Sequence, residues 1–159
     1  GSYPTSYIPT YGVSQTRATD TSLASDFQRD NIFGSTQGTA MFEFKWDVGG
    51  YVFNFNDANS IRIRIFNGGS DWKIRDIAGS AWVNTGFSKT DNVTTKIALR
   101  WNGTEFSTFQ DGVKSSIVGT FSSNMAINSI SINKLNNTKQ FLTFATALTD
   151  SECIALTTI

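Results

Sequence analysis

From Gly38 onward the chain alternates apolar and polar residues with a period of two. Phe42, Phe44 and Trp46 fall on one side, Met41, Glu43 and Lys45 on the other. Phe53 and Phe55 flank Asn54. Ile61, Ile63 and Ile65 oppose Arg62, Arg64 and Phe66. Ile97, Leu99 and Trp101 oppose Lys96, Ala98 and Arg100. A period of two is the signature of an extended strand with one face turned to a core. Turn clusters separate the runs: Gly49-Gly50, Asn67-Gly68-Gly69-Ser70, Gly79-Ser80, Asn102-Gly103 and Asp111-Gly112. Each glycine pair or Asx-Gly pair suits a tight hairpin turn. Gly49-Gly50 accordingly predicts a two-residue hairpin between the strand ending near Asp47 and the one starting at Tyr51. The series amounts to about ten to twelve short strands with turn signals every ~8–12 residues, the pattern of an all-β sandwich or barrel. Alternation argues for antiparallel sheets with one solvated face. No helical stretch separates the strands, which excludes βαβ architectures. Trp46 and Trp101 are in phase with apolar neighbours and are assigned to the core.

One helix is predicted, from about Asp150 to Thr157. Thr149 is a good N-cap, and Glu152 three residues on completes a capping box. Asp150 and Glu152 suit the positive end of the helix dipole. Cys153, Ile154 and Leu156 would pack this helix on the sandwich. Gly1 to Thr16 holds both prolines, Pro4 and Pro9, and reads as extended chain. The expected organisation is therefore an arm or linker over residues 1–14 and a sandwich domain over 15–159.

The 159 residues carry 13 Lys+Arg and 13 Asp+Glu, a net charge of zero. That balance argues against a nucleic-acid binder, whose affinity comes largely from neutralising phosphates, and against a polybasic membrane anchor. No apolar run approaches a membrane span. There is no His and a single cysteine, Cys153. Ser-His-Asp and Cys-His nucleophiles, His-containing zinc sites, Cys clusters and internal disulfides are thereby excluded. A lone cysteine suits folding in a reducing cytoplasm, and its ordinary place is as a small buried hydrophobe.

Three constellations remain as binding candidates. Arg62 and Arg64 share one strand face. If the Asn67–Ser70 turn joins this strand to the next, Lys73 and Arg75 land opposite them. Like charges directly across a ladder cost roughly 0.2–1 kcal/mol per pair, so four gathered cations suit an acidic ligand, unless Asp71, Asp76 or a neighbouring strand neutralises them. Arginine takes planar anions bidentately. The second constellation is aromatic. Trp72 and Trp82 flank turns and Tyr51 follows the double glycine, which makes these three the expected platform for stacking a sugar ring. The third is calcium, for which Asp57, Asn59 and Asp91 are the candidate loop ligands. No D-x-[DN]-x-[DN]-G spacing accompanies them, and Asp and Asn also serve turns for backbone reasons. Apart from calcium, no cofactor is expected. The three N-x-[ST] matches at Asn92, Asn102 and Asn136 are expected by chance in a chain this rich in Asn and Thr.

Two segments at opposite ends resemble a known family. Tyr3-Pro4-Thr5-Ser6-Tyr7-Ile8-Pro9-Thr10, with Thr16-Arg17-Ala18-Thr19-Asp20, resembles a phrase of bacteriophage structural proteins that introduces a C-terminal concanavalin A-like (laminin-G-like) sandwich domain. Ala147-Leu148-Thr149-Asp150-Ser151-Glu152, with Ala155-Leu156-Thr157, resembles the closing helix of the same domains. Between them, Lys96-Ile97-Ala98-Leu99-Arg100-Trp101 and Phe109-Gln110-Asp111-Gly112-Val113 look like the family's paired strands. The resemblance covers essentially the whole chain. It implies a two-sheet jelly roll on a phage tail fibre or other virion component, made in the bacterial cytoplasm and acting outside it. It carries no ligand site over residue by residue, and a fold alone does not establish a function.

Some sandwiches of this architecture hydrolyse glycans with two carboxylates flanking the scissile bond. The laminarinase type carries E-x-D-x-x-E on one strand. Here the only Glu are Glu43, Glu105 and Glu152, none in that pattern. The expectation is therefore a non-catalytic, lectin-like module that recognises host-surface glycan, with other domains or subunits of the same virion protein as partners. A structural or decoration domain without a sugar ligand is the alternative, and a divergent glycan hydrolase a third reading. The expected binding residues are Arg62, Arg64, Trp72, Lys73, Arg75, Trp82 and Tyr51.

Overall fold

The computed structural model describes residues 26–28, 36–46, 50–56, 61–67, 70–77, 79–124, 127, 129–132 and 138–159. Its strands are β1 (Asp26–Gln28), β2 (Gln37–Lys45), β3 (Gly50–Asn56), β4 (Ile61–Asn67), β5 (Asp71–Asp76) and β6 (Ala81–Ser88), then β7 (Thr94–Asn102), β8 (Glu105–Gln110), β9 (Val113–Thr120), β10 (Ser129–Ile132) and β11 (Thr138–Phe144). Among the described residues there is one helix, α1, spanning Asp150–Thr157. The arm expected over residues 1–14 lies outside the described residues.

Two antiparallel sheets stack face to face. The six-stranded sheet runs β1-β10-β3-β4-β5-β6, the five-stranded sheet β11-β2-β7-β8-β9. The apolar side of each alternating strand meets the other sheet in one aromatic core. Phe42 of β2 stacks on Phe53 of β3 with centroids 3.7 Å apart, and Phe55 of β3 meets Trp101 of β7 edge-on at 6.0 Å. Trp46 and Trp101 are buried as expected. The architecture is the two-sheet antiparallel jelly-roll sandwich expected from the sequence.

Two hairpins fall at or within one residue of their turn signals. β8 and β9 close through Asp111 and Gly112, with φ of 48° and 80°. Both central residues are left-handed, as a type I′ turn requires. β7 and β8 pair up to Asn102 and Glu105, so the turn is Gly103-Thr104, one residue later than the Asn-Gly pair suggested.

The hairpin expected at Gly49-Gly50 does not form. β2 pairs with β7 and β11, whereas β3 pairs with β4 and β10. The two strands belong to different sheets, and the chain crosses the sandwich between them. Phe42 and Phe44 face Phe53 and Phe55 across the core, and this places the same alternation on both strands that a hairpin would.

The outer side of the five-stranded sheet explains its unexpected apolar residues. Met41, Ala98 and Phe109 form a second buried cluster with Cys153, closed by Leu142, Leu148, Ile154 and Leu156. Helix α1 covers this patch. The Thr149 hydroxyl accepts from the Glu152 N–H, and the Glu152 carboxylate accepts from the Thr149 N–H, completing the capping box.

Candidate functional site

Helix α1 packs on the outer side of one sheet, and four of the seven expected binding residues, Arg64, Lys73, Arg75 and Trp82, lie on the outer side of the other. β3, β4, β5 and β6 turn Phe53, Phe55, Ile63, Ile65, Ile74 and Val83 inward. The alternate positions face out. Register then aligns one row across the sheet: Asp26, Ser131, Asn54, Arg64, Arg75 and Trp82. Arg75 is thus directly opposite Arg64 on one side and Trp82 on the other. Lys73, one pleat position along, is paired with Phe66 and Asn84. The expectation that Arg75 lands opposite Arg64 therefore holds, while Lys73 faces Phe66 rather than an arginine.

Trp82 is 47 % exposed, and the Arg75 guanidinium carbon lies 5.1 Å from its ring centroid. A cation over an indole at this distance gains ~0.5–1 kcal/mol at an exposed site. Asn84 is exposed beside it, its side-chain oxygen accepting from the Gly86 N–H at 3.0 Å. Arg64, Lys73 and Arg75 are half-buried. The Nε of Arg75 is buried and has no hydrogen-bond partner. Tyr51 and Arg62 belong to β3 and β4, and their side chains lie outside the described residues.

Trp72 is a correction. Its pleat position on β5 is that of Ile74, so it points into the core and is 0 % exposed. Its indole N–H donates to the Gln110 side-chain oxygen at 2.8 Å, and its ring lies parallel to Phe87. Proximity to a turn suggested exposure, but burial is decided by which side of the pleat a residue occupies. The satisfying acceptor comes from β8 in the opposite sheet, and nothing local in the sequence announces it.

Asp76, Asp111, Asp150 and Asp91 are engaged structurally. Asp76, a candidate neutraliser of the basic row, is turned inward. Its two oxygens accept the Gly79 N–H at 3.3 Å and the Ser122 N–H at 2.7 Å. Asp111 accepts the Lys96 N–H at 2.8 Å and so braces its own turn. Asp150 accepts from Arg100 and from Lys114, the latter at 2.7 Å. The Lys114 hydrogen bond, with Arg100 beside it, holds the Asp150 carboxyl below its ordinary range despite some desolvation. Of the calcium candidates, Asp91 is ion-paired with Lys89. Asp57 and Asn59 lie outside the described residues. Among the described residues no cluster of three His, Cys, Asp or Glu side chains could hold a metal, and no helix is long and apolar enough to cross a membrane.

A cleft of about 250 Å³ on the five-stranded side went unnoticed in the sequence. Arg100, Asn102, Glu105, Ser107, Val118 and Leu148 are among its lining. It forms because the chain before α1 passes over the sheet, a tertiary event. Its cation is committed: Arg100 donates to the Leu148 carbonyl, to Asp150 and to the Ser107 hydroxyl. Asn54 and Asn84 were also missed as members of the outer row. The period-two pattern placed Asn54 on the polar side, but only register brings it beside Arg64.

No family model and no curated protein sequence matches the chain. Solved structures do match. The CBM40 of the Ruminococcus gnavus IT-sialidase, bound to α2,3 sialyllactose, aligns with a TM-score of 0.57 at 14% identity over 79% of this chain and 84% of that one. Domain 4 of AbnA, a GH43 extracellular arabinanase from Geobacillus stearothermophilus in complex with arabinotriose, gives a TM-score of 0.59 at 17% identity over 79% and 68%. A heptameric SAP-like pentraxin from Limulus polyphemus gives 0.57 at 10% over 82% and 78%. At these identities the likeness is one of fold.

Proposed function

We propose that this domain is a non-catalytic carbohydrate-binding module whose ligand face is the outer side of β5 and β6. The observation that carries the reading is the half-exposed Trp82 indole beside the Arg75 guanidinium on the outer side of β5 and β6. An indole offers its flat face to the C–H surface of a sugar ring, and neighbouring amide and guanidinium groups hydrogen-bond its hydroxyls. Asn84, Lys73 and Arg64 supply such groups next to it. That CBM40 and the arabinanase domain were solved with bound saccharides supports the reading by analogy of fold. Tyr51 and Arg62 stay in the proposed set on the sequence alone.

The finer proposal is display on a phage tail or other virion surface, acting outside the cell against host glycan, which rests on the Tyr3–Thr10 and Ala147–Thr157 phrases. A shallow face binds each sugar weakly, and repeated copies on one particle would supply avidity. A second reading, a structural domain that joins virion subunits, draws on the exposed Val113, Ile117 and Val118 of β9.

The test is a glycan array probed with the multivalently displayed domain, as wild type and as Trp82→Ala. Selective glycan binding that Trp82→Ala abolishes, with an unchanged circular dichroism spectrum, is the expected result. Binding that persists in Trp82→Ala would move the site elsewhere. Silence of the wild type toward every glycan would favour the structural domain.

A further inference from the structure

The cleft on the outer side of the five-stranded sheet holds polar groups that no contact of the fold uses. Trp101 and Phe106 turn into the core, so their neighbours Arg100, Asn102, Glu105 and Ser107 turn outward. Register lines up Thr39, Arg100, Ser107 and Val118 across β2, β7, β8 and β9. Asn102 and Glu105 are the next outward pair, directly opposite each other on either side of the Gly103-Thr104 turn. Such partners hold their Cβ atoms about 4.5–5.5 Å apart. An amide and a carboxylate therefore stand side by side in the lining of the cleft.

Ala147 and Leu148 form another part of that lining, and this segment is fixed in place. Arg100 donates to the Leu148 carbonyl at 3.1 Å. The Thr39 hydroxyl accepts the Leu148 N–H at 3.0 Å and donates to the Thr146 carbonyl at 3.1 Å. Arg100 is itself held by Asp150 and by the Ser107 hydroxyl at 3.2 Å. The cleft is thus formed before any ligand arrives, which spares a ligand the cost of ordering it.

Asn102 and Glu105 are exposed. Among the described residues neither side chain makes a hydrogen bond or an ion pair. Val118, in the same lining, is 58 % exposed. The charges of the lining are one Arg and one Glu, and Asp150 just beyond it is matched by Lys114 at 2.7 Å. The group sums to zero, so net charge draws in neither an anion nor a cation. What the cleft offers is a carboxylate that accepts from hydroxyls, an amide that both donates and accepts, and an apolar methyl surface. A neutral, hydroxyl-rich ring matches that set. The volume of about 250 Å³ lies below the ~300–1,000 Å³ of drug-sized sites, which limits the occupant to about one ring.

We propose that this cleft is a second ligand site, which takes one neutral sugar unit. Glu105 and Asn102 hydrogen-bond its hydroxyls, and Val118 meets its C–H face. The site lies on the opposite outer side of the sandwich from Trp82 and needs nothing from β5 or β6, so it goes beyond the reading above.

The test is an amide NMR titration of the isotope-labelled chain with the methyl glycosides of glucose, galactose, mannose, N-acetylglucosamine and arabinose. Sodium acetate and ethylammonium chloride serve as small charged probes. Wild type is compared with Glu105→Ala, Glu105→Gln, Val118→Arg and Trp82→Ala, all at exposed side chains, and unchanged spectra elsewhere show that each variant folds. The expected result is a saturable shift of the Asn102, Glu105 and Val118 amides with at least one glycoside. Glu105→Ala weakens it about tenfold, as loss of a hydrogen bond to a charged group does. Glu105→Gln keeps an acceptor oxygen and loses less. Val118→Arg fills the cleft and abolishes the shift, and Trp82→Ala leaves it unchanged. Shifts confined to β5 and β6 and lost in Trp82→Ala overturn the second site and leave the Trp82 reading standing. Shifts at the cleft alone uphold the second site and count against the Trp82 face. A charged probe that shifts the cleft amides as strongly as the glycosides overturns the neutral-sugar assignment. No shift at the cleft with any glycoside overturns the proposal.

Discussion

The indole of Trp72 donates a 2.8 Å hydrogen bond to the side-chain oxygen of Gln110, and so ties the six-stranded sheet to the five-stranded one. Gln110 in turn donates to the Ser88 carbonyl at 3.1 Å, and the Thr85 hydroxyl donates to the Trp72 carbonyl at 2.7 Å. The pair is thus a polar rivet at the edge of an aromatic core. Ten residues on, Trp82 sits on the opposite side of the same sheet with its ring half in water.

The two tryptophans should therefore separate stability from binding. Trp72→Ala empties a fully buried site, and losses of ~3–5 kcal/mol are usual for such truncations. Trp82→Ala should cost clearly less than Trp72→Ala, because its ring is already 47 % exposed. Urea denaturation of both variants checks this. Similar destabilisation by the two would contradict the assignment of their faces.

Gly119 leaves room for one ring. A Cβ placed there would lie 2.0 Å from Cζ of Phe106, which itself stacks on Phe121 at 4.3 Å. Gly119→Ala should cost on the order of 1–3 kcal/mol by overpacking. Adding Phe106→Leu should cost less in the Gly119→Ala background than in the wild type, because the clash is already relieved. A double-mutant cycle reads the coupling, and strict additivity would show that the ring can move aside freely.

Acid should loosen the helix end. The Asp150 carboxyl is held below its ordinary value of 3.8 by Lys114 first and then Arg100, and Glu152 below 4.5 by the Thr149 hydroxyl and backbone N–H. A carboxylate depressed in the folded state contributes stability that is present above its ordinary value and lost as pH falls through the lower folded value. Asp150→Asn should therefore be less stable than wild type near neutral pH, and the difference should close as pH falls below the carboxyl's ordinary value of 3.8 and on through its lower folded value. Both groups are solvent-exposed, so the effect is modest and shrinks with salt. Thermal melts across pH at two salt concentrations test it, and a difference independent of pH would refute the ion-pair account.

Cys153 should be inert while the domain is folded. Burial between α1 and the five-stranded sheet raises its thiol to about 11. At pH 8 only about one part in a thousand is thiolate, and the thiolate is the reactive form. Iodoacetamide labelling followed by mass spectrometry should be slow in buffer and rapid in urea. Rapid labelling without denaturant would mean that the helix opens readily.

The alternation of side chains determined most of the secondary structure by itself. Period two decided which residues of β2, β4 and β7 share a face, because successive side chains on a strand point to opposite sides whatever the partner. Asp111-Gly112 set its hairpin because few residues tolerate two left-handed positions in a row. Thr149 and Glu152 set the start of α1 because their bonds are local. The sheet to which each strand belongs was not legible. Phe42, Phe44, Phe53 and Phe55 would show the same alternation in a hairpin and across a core, and only the packing of aromatic rings between layers selects the second. The proposed binding face was legible as residue types and not as a place. Arg64, Arg75 and Trp82 become neighbours through register, and Trp72 leaves the surface because Gln110, 38 residues away, reaches its indole from the other sheet. A period of two carries no information about which strand lies alongside or what stands opposite, and those are the relations that tertiary structure supplies.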